Sequence, residues 1–393
     1  MFLKNIFVIF INYIDESILF KKESNLLFYK FLVFFVTKRG ISFVKKNCIW
    51  SIRLQSIKKN TMTYVVAMSG GIDSAIAAYL MKKKGKVIAL FMKNWEGECS
   101  AEEDFKDVQK ICSFLEIDYY LVNYSKEYEQ KVFKNFVQEW KEGKTPNPDI
   151  LCNKEIKFDA LLKEALKIGD VLVTGHYAKV DKGILSQAKD SKKDQTYFLH
   201  QLTKDQLMHV HFPLGDFFKQ EVKELAIRIN LPIQDKKESM GICFIGKKKM
   251  KDFLRNYIED SKGVFIESSS GKILGHHLGI HFYTRGQRKG IGLSGGPYVV
   301  LSKDVEKKIV YLTNPEDPKL YTSEIFCEPI HWIDQSVEEC LVKYRHQGEE
   351  VDCRIIDNHV FFKKPQKSLS EGQYVVFYKD SLCLGGSKII SVR

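Results

Sequence analysis

The chain has 393 residues and a formal charge of +12, a length that excludes one small core and sets an expectation of two or three domains. The charge suggests a polyanionic partner but is unevenly spread. Residues 1–61 hold eleven Lys/Arg against three Asp/Glu, a net of +8, which leaves +4 on the other 332 residues, so an RNA site would be a local basic patch. Nine cysteines without a C-x-x-C pair argue against a disulfide scaffold or a zinc knuckle. His276, His277 and His281 have no carboxylate or thiol at ligand spacing, so no resident metal is expected.

Residues 1–61 differ in texture from the rest of the chain. The runs Phe2 to Ile14 and Leu26 to Val36 are apolar and aromatic but are separated by charged residues. Neither reaches the roughly 18–20 apolar residues of a membrane helix, and no small-residue cleavage site follows the first. The scarcity of acids is compatible with a transit peptide. The simplest expectation is that 1–61 is an extension outside the fold and that Met62 is the working start, two residues before the first strand.

That strand, Tyr64 to Met68, runs into Ser69-Gly70-Gly71-Ile72-Asp73-Ser74 and an alanine-rich helix predicted over Ala75 to Lys84. Paired glycines let backbone N–H groups close on an anion. The helix start adds its unpaired N–H groups and positive dipole end. Ser69 and Ser74 can add hydroxyls, and Asp73 can cap the helix or help hold magnesium. Two other glycine patterns fail. Gly143-Lys144-Thr145 ends like a Walker loop, but Gln138 stands at the first glycine position. Gly290 to Gly295 fits G-x-G-x-x-G but leaves a basic loop and enters the strand-like Tyr298 to Leu301. The Ser69–Ser74 loop resembles that of the ATP pyrophosphatases, which cleave ATP between its α- and β-phosphates.

Further along, Lys86 to Met92 reads as a buried strand, Ala101 to Glu116 as an amphipathic helix and Tyr119 to Val122 as a strand. Helices are predicted over Tyr128 to Lys141 and near Asn153 to Lys167, then a strand at Asp170 to Thr174 and a helix at Lys219 to Ile229. This alternation predicts an α/β fold, a doubly wound parallel sheet with ligands at the carboxyl ends of its strands. Past Asp260, glycines become frequent between Gly263 and Gly296. Strands are predicted at Lys308 to Leu312, Glu349 to Ile356, His359 to Lys363 and Gln373 to Tyr378. The expected organisation is an ATP-binding catalytic domain at 62–258, a small glycine-rich central domain at 259–325 and a C-terminal β-barrel-like domain at 326–393.

Two cysteines stand in distinctive settings. Cys152 ends Pro146-Asn147-Pro148-Asp149-Ile150-Leu151, where two prolines stiffen a loop. It is either a buried structural thiol or, at a helix start, one whose pKa the dipole lowers, with Asp149 able to move a proton. Cys243 lies between Gly241 and Gly246 among apolar residues, read either as buried or as carried on a loop that moves. Two such thiols can share sulfur chemistry, one holding a persulfide and the other closing a disulfide.

The set SGGIDS (69–74), PNPDILCN (146–153), TGHYAKV (174–180), KDQTYFL (193–199), ESMGICFIG (238–246) and YTRGQRKGIG (283–292) resembles the bacterial tRNA-specific 2-thiouridylases and their mitochondrial relatives, from Met62 to Arg393. Arg285 and Lys154 depart from the usual residues. The resemblance implies ATP-dependent replacement of the C2 oxygen of the wobble uridine by sulfur, through adenylation of that oxygen and release of AMP and pyrophosphate. It implies that Cys243 holds the persulfide, Cys152 is the nucleophile and Asp149 the acid/base. Ala67, Met68, Ser69, Gly70, Gly71, Ile72, Asp73 and Ser74 would cradle ATP, with Met92 and Gly175 near the adenosine. Asn147, Pro148 and Asp149 would surround the flipped base, while His176, Lys193, Asp194, Gln195, Tyr344, Arg345 and Gln373 would contact tRNA. It further implies ATP with Mg2+ as substrate, no permanent cofactor, and a cytoplasmic monomer. Its partners would be tRNA and a sulfur-donor protein, a cysteine desulfurase or sulfur relay protein, with no membrane.

Overall fold

The computed structural model describes residues 33–37, 40–45, 48–52, 61–96, 101–237, 244–245 and 250–392. The chain forms two compact units, Met1–Thr61 and Met62–Arg393. In the first, the strands Val33–Thr37, Gly40–Lys45 and Cys48–Ile52 pair as an antiparallel meander, elements the sequence reading did not anticipate.

The second unit is built on a five-stranded sheet. Its strands are β1 (Thr63–Met68), β2 (Lys86–Lys93), β3 (Asp118–Asn123), β4 (Val171–Val173) and β5 (Val210–His211). They lie in the order β5-β4-β1-β2-β3 and every pairing is parallel. The winding direction therefore reverses between β1 and β4, where an open α/β sheet leaves a crevice for ligands. Side chains alternate across the sheet: Val66 and Met68 pack with helices α1 (Ile72–Lys82), α2 (Ala101–Leu115) and α3 (Lys219–Arg228), while Val65 and Leu90 pack with Phe158, Leu161 and Leu172 on the other face. Both faces are covered, as near-continuous apolar strands require.

A mixed four-stranded sheet follows, ordered Ile273–His277, Gly263–Glu267, Ile309–Thr313, Val299–Asp304. The C-terminal strands close on themselves, because Tyr321–Cys327 pairs with both His359–Lys367 and Leu382–Val392. Closure removes the exposed edges of an antiparallel sheet. The barrel is also tied to the first domain. The hairpin Lys179–Asp181/Ile184–Ser186 joins the barrel sheet at Ser186 and Leu382, and Lys388 pairs with Glu139 at 2.7 Å.

Candidate active site

The loop after β1 turns through Gly70 at φ +76°, a conformation that favours glycine, and a Cβ there would lie 2.5 Å from the Asp104 carbonyl oxygen. Helix α1 starts at Ile72, three residues before the predicted position. Its N-cap is Gly71, and no side chain caps the first turn. Those N–H groups face the crevice and suit an anion. Asp73 therefore does not cap the helix. Its carboxylate accepts from Lys219 Nζ at 2.7 and 2.8 Å and from the Tyr177 hydroxyl at 3.0 Å. Ser74 Oγ donates to the Gly71 carbonyl at 3.0 Å and accepts from Ser69 N at 3.2 Å, which stiffens the loop. Lys236 Nζ reaches the Gly70 carbonyl at 3.1 Å and both Asp104 and Asp107 at 2.8 Å.

Opposite, the segment after β4 passes so close to the phosphate loop that only glycine fits. A Cβ on Gly175 would lie 2.8 Å from Asp73 C and Ser74 N. Gly175→Ala is therefore expected to weaken ATP binding at least about tenfold and to destabilise the fold by about 1–3 kcal/mol, the usual cost of overpacking. Calorimetric titration with ATP checks this, and unchanged affinity would refute the close-approach requirement.

Between these walls is a cavity of about 390 Å³. Ala67, Met68, Ser69, Asp73 and Ser74 line it from β1 and its loop, and Met92 and Gly175 from the neighbouring strand ends. Asp149, Cys152, His176 and Gln195 line the same cavity, so the phosphate loop and the thiol segment, far apart in sequence, share one space. Cys243 lies outside the described residues. The residue after it, Phe244, is 2% exposed and belongs to the same apolar cluster as Cys152. Its ring packs edge-on against Phe133 and Phe136, at 5.3 and 5.2 Å between centroids.

The thiol segment differs from its sequence expectation. The helix starts at Pro148, with the Asn147 side chain accepting from Asp149 N at 3.1 Å. Proline at the first helical position needs no N–H partner and has the right φ, so Pro148 opens this helix instead of lying in a loop before it. Pro148–Leu151 continues without a break into a π-helical stretch, Cys152–Leu161, and then into Leu162–Ile168. Cys152 is thus a full turn inside the helix. The dipole effect fades within the first turn, so the expected activation of Cys152 by a helix terminus does not apply.

Asp149 touches cavity solvent, yet protein atoms crowd its carboxyl. Burial raises its pKa, and the positive charges of Lys157 and His346 partly offset the rise. His176 is held well below the ordinary imidazole pKa, first by burial and then by Lys157, and its Nδ1 lies 2.6 Å from Thr174 Oγ1.

The residues expected at the RNA are more dispersed. Gln195 Oε1 accepts from Tyr177 N at 2.9 Å. Lys193 lines a second, lysine-rich pocket of about 320 Å³ beside the phosphate loop, together with Lys192, Lys219, Lys236 and Lys237. Asp194 is buried and turned inward, accepting from Ala188 N at 2.9 Å and Thr196 Oγ1 at 2.6 Å, so its carboxylate faces no RNA surface. Tyr344 and Arg345 sit at a barrel tip, where they bond to Gln366 and to the Ser368 carbonyl at 3.0 Å each. The neighbouring His346 reaches the Asp194 carbonyl at 2.9 Å. Gln373 has a buried side-chain oxygen with no partner among the described residues. It lies just after the turn that braces the proline loop, where Thr145 N donates to the Glu371 carbonyl at 3.0 Å. Lys303 braces the same loop by donating to the carbonyls of Gly143 and Tyr283, and burial pushes its pKa down to about 8.

Sequence reasoning missed Lys157, Lys219, Lys236 and Lys303. For Lys219 a signal existed. It opens helix α3, where the dipole disfavours a cation, so an anion had to be waiting for it.

A parallel sheet with a glycine phosphate loop at its switch point, joined to a closed barrel, defines a nucleotide-binding α/β domain with an appended β-barrel. Residues 62–247 match the tRNA methyl transferase HUP domain, 251–314 the tRNA methyl transferase PRC-barrel domain and 322–389 the aminomethyltransferase beta-barrel domain. The chain is 45% identical over 347 residues to the tRNA-specific 2-thiouridylase MnmA of Chlamydia trachomatis serovar L2, and 44% identical over 352 residues to that of Legionella pneumophila strain Paris. Each comparison covers 83% of this chain and 97% of the relative. The chain belongs to the tRNA-specific 2-thiouridylase MnmA family.

Proposed function

We propose that this chain is an ATP-dependent tRNA-uridine 2-sulfurtransferase that thiolates the wobble uridine. The observation carrying this reading is the single cavity lined by both the phosphate loop and the Asp149/Cys152 turn. A methyl transferase, as the domain descriptions are worded, would need neither a pyrophosphate loop nor a thiol in that space.

In this reading ATP enters with Mg2+ as substrate, its phosphates on the N–H groups of the Gly70–Ser74 loop and its adenosine beside Met92 and Gly175. The base, flipped out, is framed by Asn147, Pro148 and Asp149. Its O2 attacks the α-phosphorus; the bond from that phosphorus to the bridging oxygen breaks, and pyrophosphate leaves with the electron pair. The terminal sulfur of a Cys243 persulfide then attacks C2, and the C2–O bond breaks with its pair departing on AMP. Cys152 thiolate attacks Cys243 Sγ, the sulfur on C2 keeps the old S–S pair as 2-thiouridine, and a Cys152–Cys243 disulfide forms. A thiol reductant must reopen it before the next turnover. Asp149, whose affinity for a proton burial raises, is the base that takes the Cys152 proton.

The tRNA lies against His176, Lys193, Gln195, Tyr344, Arg345 and Gln373, with Asp194 acting from beneath by holding the Ala188–Thr196 turn. A sulfur-donor protein, a cysteine desulfurase or relay protein, loads Cys243, and the enzyme works as a cytoplasmic monomer. No helix among the described residues is long and apolar enough to cross a membrane. The test is nucleoside mass spectrometry after the full chain meets unmodified tRNA, ATP, Mg2+, a thiol reductant and a cysteine desulfurase with cysteine as the source of persulfide sulfur. ATP-dependent 2-thiouridine is the expected product. ATP consumption without it would shift the reading to another adenylated substrate.

A further inference from the structure

Lys157 lines the main cavity with Asp149, Cys152, Gly175 and His176. It is the only lysine or arginine that does so among the described residues. Its side chain is half-buried and makes no hydrogen bond or ion pair with any described residue. The other charged groups of the cavity are all carboxylates. Asp73 is bound by Lys219 and Asp104 by Lys236, while Asp149 has no ion-pair partner among the described residues. An ammonium with no hydrogen-bonded or ion-paired anion among the described residues leaves its N–H donors open to an anion entering the cavity.

The placement of Lys157 results from the π-helical winding of Cys152–Leu161. In a turn closed by i→i+5 hydrogen bonds, residues five apart lie nearly above one another, whereas an α-helix aligns residues three or four apart. Cys152 and Lys157, five apart, accordingly line the same space. The charge of Lys157 is felt by both Asp149 and His176, which line the same cavity as Cys152 and Gly175.

Resting on the thiolation reading, we propose that the Lys157 ammonium is a catalytic residue that binds the α-phosphate of ATP, stabilising the charge that builds on its oxygens during adenylation and again as AMP departs from C2. The phosphate loop supplies neutral N–H donors to the outgoing pyrophosphate, and Lys157 supplies the cation at the group that stays behind. Lys157 forms no bond and moves no proton; its contribution is electrostatic.

The test compares full-length native protein with Lys157→Met and Lys157→Arg, measuring tRNA-dependent AMP formation and 2-thiouridine across pH. Lys157→Met is expected to lower kcat by about 10²–10³-fold, as loss of one preorganised charge does, with the KM for ATP shifted no more than about threefold. Lys157→Arg keeps the charge and should retain a larger share of the activity. Removing the cation also lets the Asp149 pKa rise further, so the acid limb of the rate profile should move to higher pH in Lys157→Met and stay in place in Lys157→Arg. That shift reports the lost charge beside Asp149 in an intact cavity, while the fall in kcat at a nearly unchanged KM reports the contact with the α-phosphate, which a purely structural lysine would not make. For any loss that arises from misfolding, rescue of Lys157→Ala by an added alkylammonium decides, because rescue requires an intact cavity. An unchanged kcat in Lys157→Met, or a raised KM alone, would overturn the proposal. Failure of the native protein to make 2-thiouridine would instead overturn the underlying reading.

Discussion

Replacement of Cys152 by serine is expected to abolish 2-thiouridine formation, by at least about 10³-fold as loss of a covalent nucleophile does, while ATP affinity changes little. Cys152 lines the cavity but takes no part in the hydrogen bonds that shape the phosphate loop, so nucleotide capture should not depend on it. Serine is close in volume, and its hydroxyl can hydrogen-bond to cavity water, so the apolar cluster around Phe244 and Ile156 should persist. The defect falls after adenylation. Without the thiol nothing opens the S–S bond to Cys243, so tRNA-dependent AMP formation should run for one turnover and stop. Rapid-quench measurement of AMP beside nucleoside mass spectrometry checks both halves. Thiolation at the native rate would remove Cys152 from the chemistry.

The second large effect is expected at the ion pair behind the phosphate loop. Lys219 is 7% exposed and holds both oxygens of Asp73, which fixes the first turn of α1 against α3 and the Tyr177 hydroxyl. Lys219→Met leaves Asp73 without its cation. A third of the Asp73 side chain still meets solvent, so the loss of stability should be about 1.5–3 kcal/mol, the range of a charged hydrogen bond, and not the larger figure for a fully buried pair. ATP turnover should fall more steeply, by about 10²-fold, because Lys219 also lines the lysine-rich pocket against the loop. The double variant Asp73→Asn/Lys219→Met separates the two effects. Removing both charges should restore much of the stability and none of the turnover. Turnover recovering together with stability would show that Lys219 acts only by packing.

The thiol segment shows where local reading stops. Two prolines around Asn147 read as a stiff loop because each disfavours helix in the residue before it. The same Pro148 is equally well suited to open a helix, and the fold takes that alternative, moving the helix start from Asn153 to Pro148 and Cys152 into its second turn. The π-winding that turns Lys157 towards Cys152 has no counterpart in the apolar periodicity.

From its sequence alone, this protein's parallel sheet, its phosphate loop at the end of the first strand, its barrel and its two distinctive cysteines could be read. Each is written in contiguous residues: runs of apolar residues, glycines where an anion must approach, and period-two strands in the tail. The tertiary structure alone decided what faces what. Asp73 meets Lys219 across 146 positions, Asp104 meets Lys236 across 132, and the proline loop is clasped by Thr284 across 139. Charges so distant interact only after the apolar faces of α1, α2 and α3 have packed on one sheet. That is why the cations of the site, and the cavity that Lys157 shares with Cys152, emerged from the fold and not from the motifs.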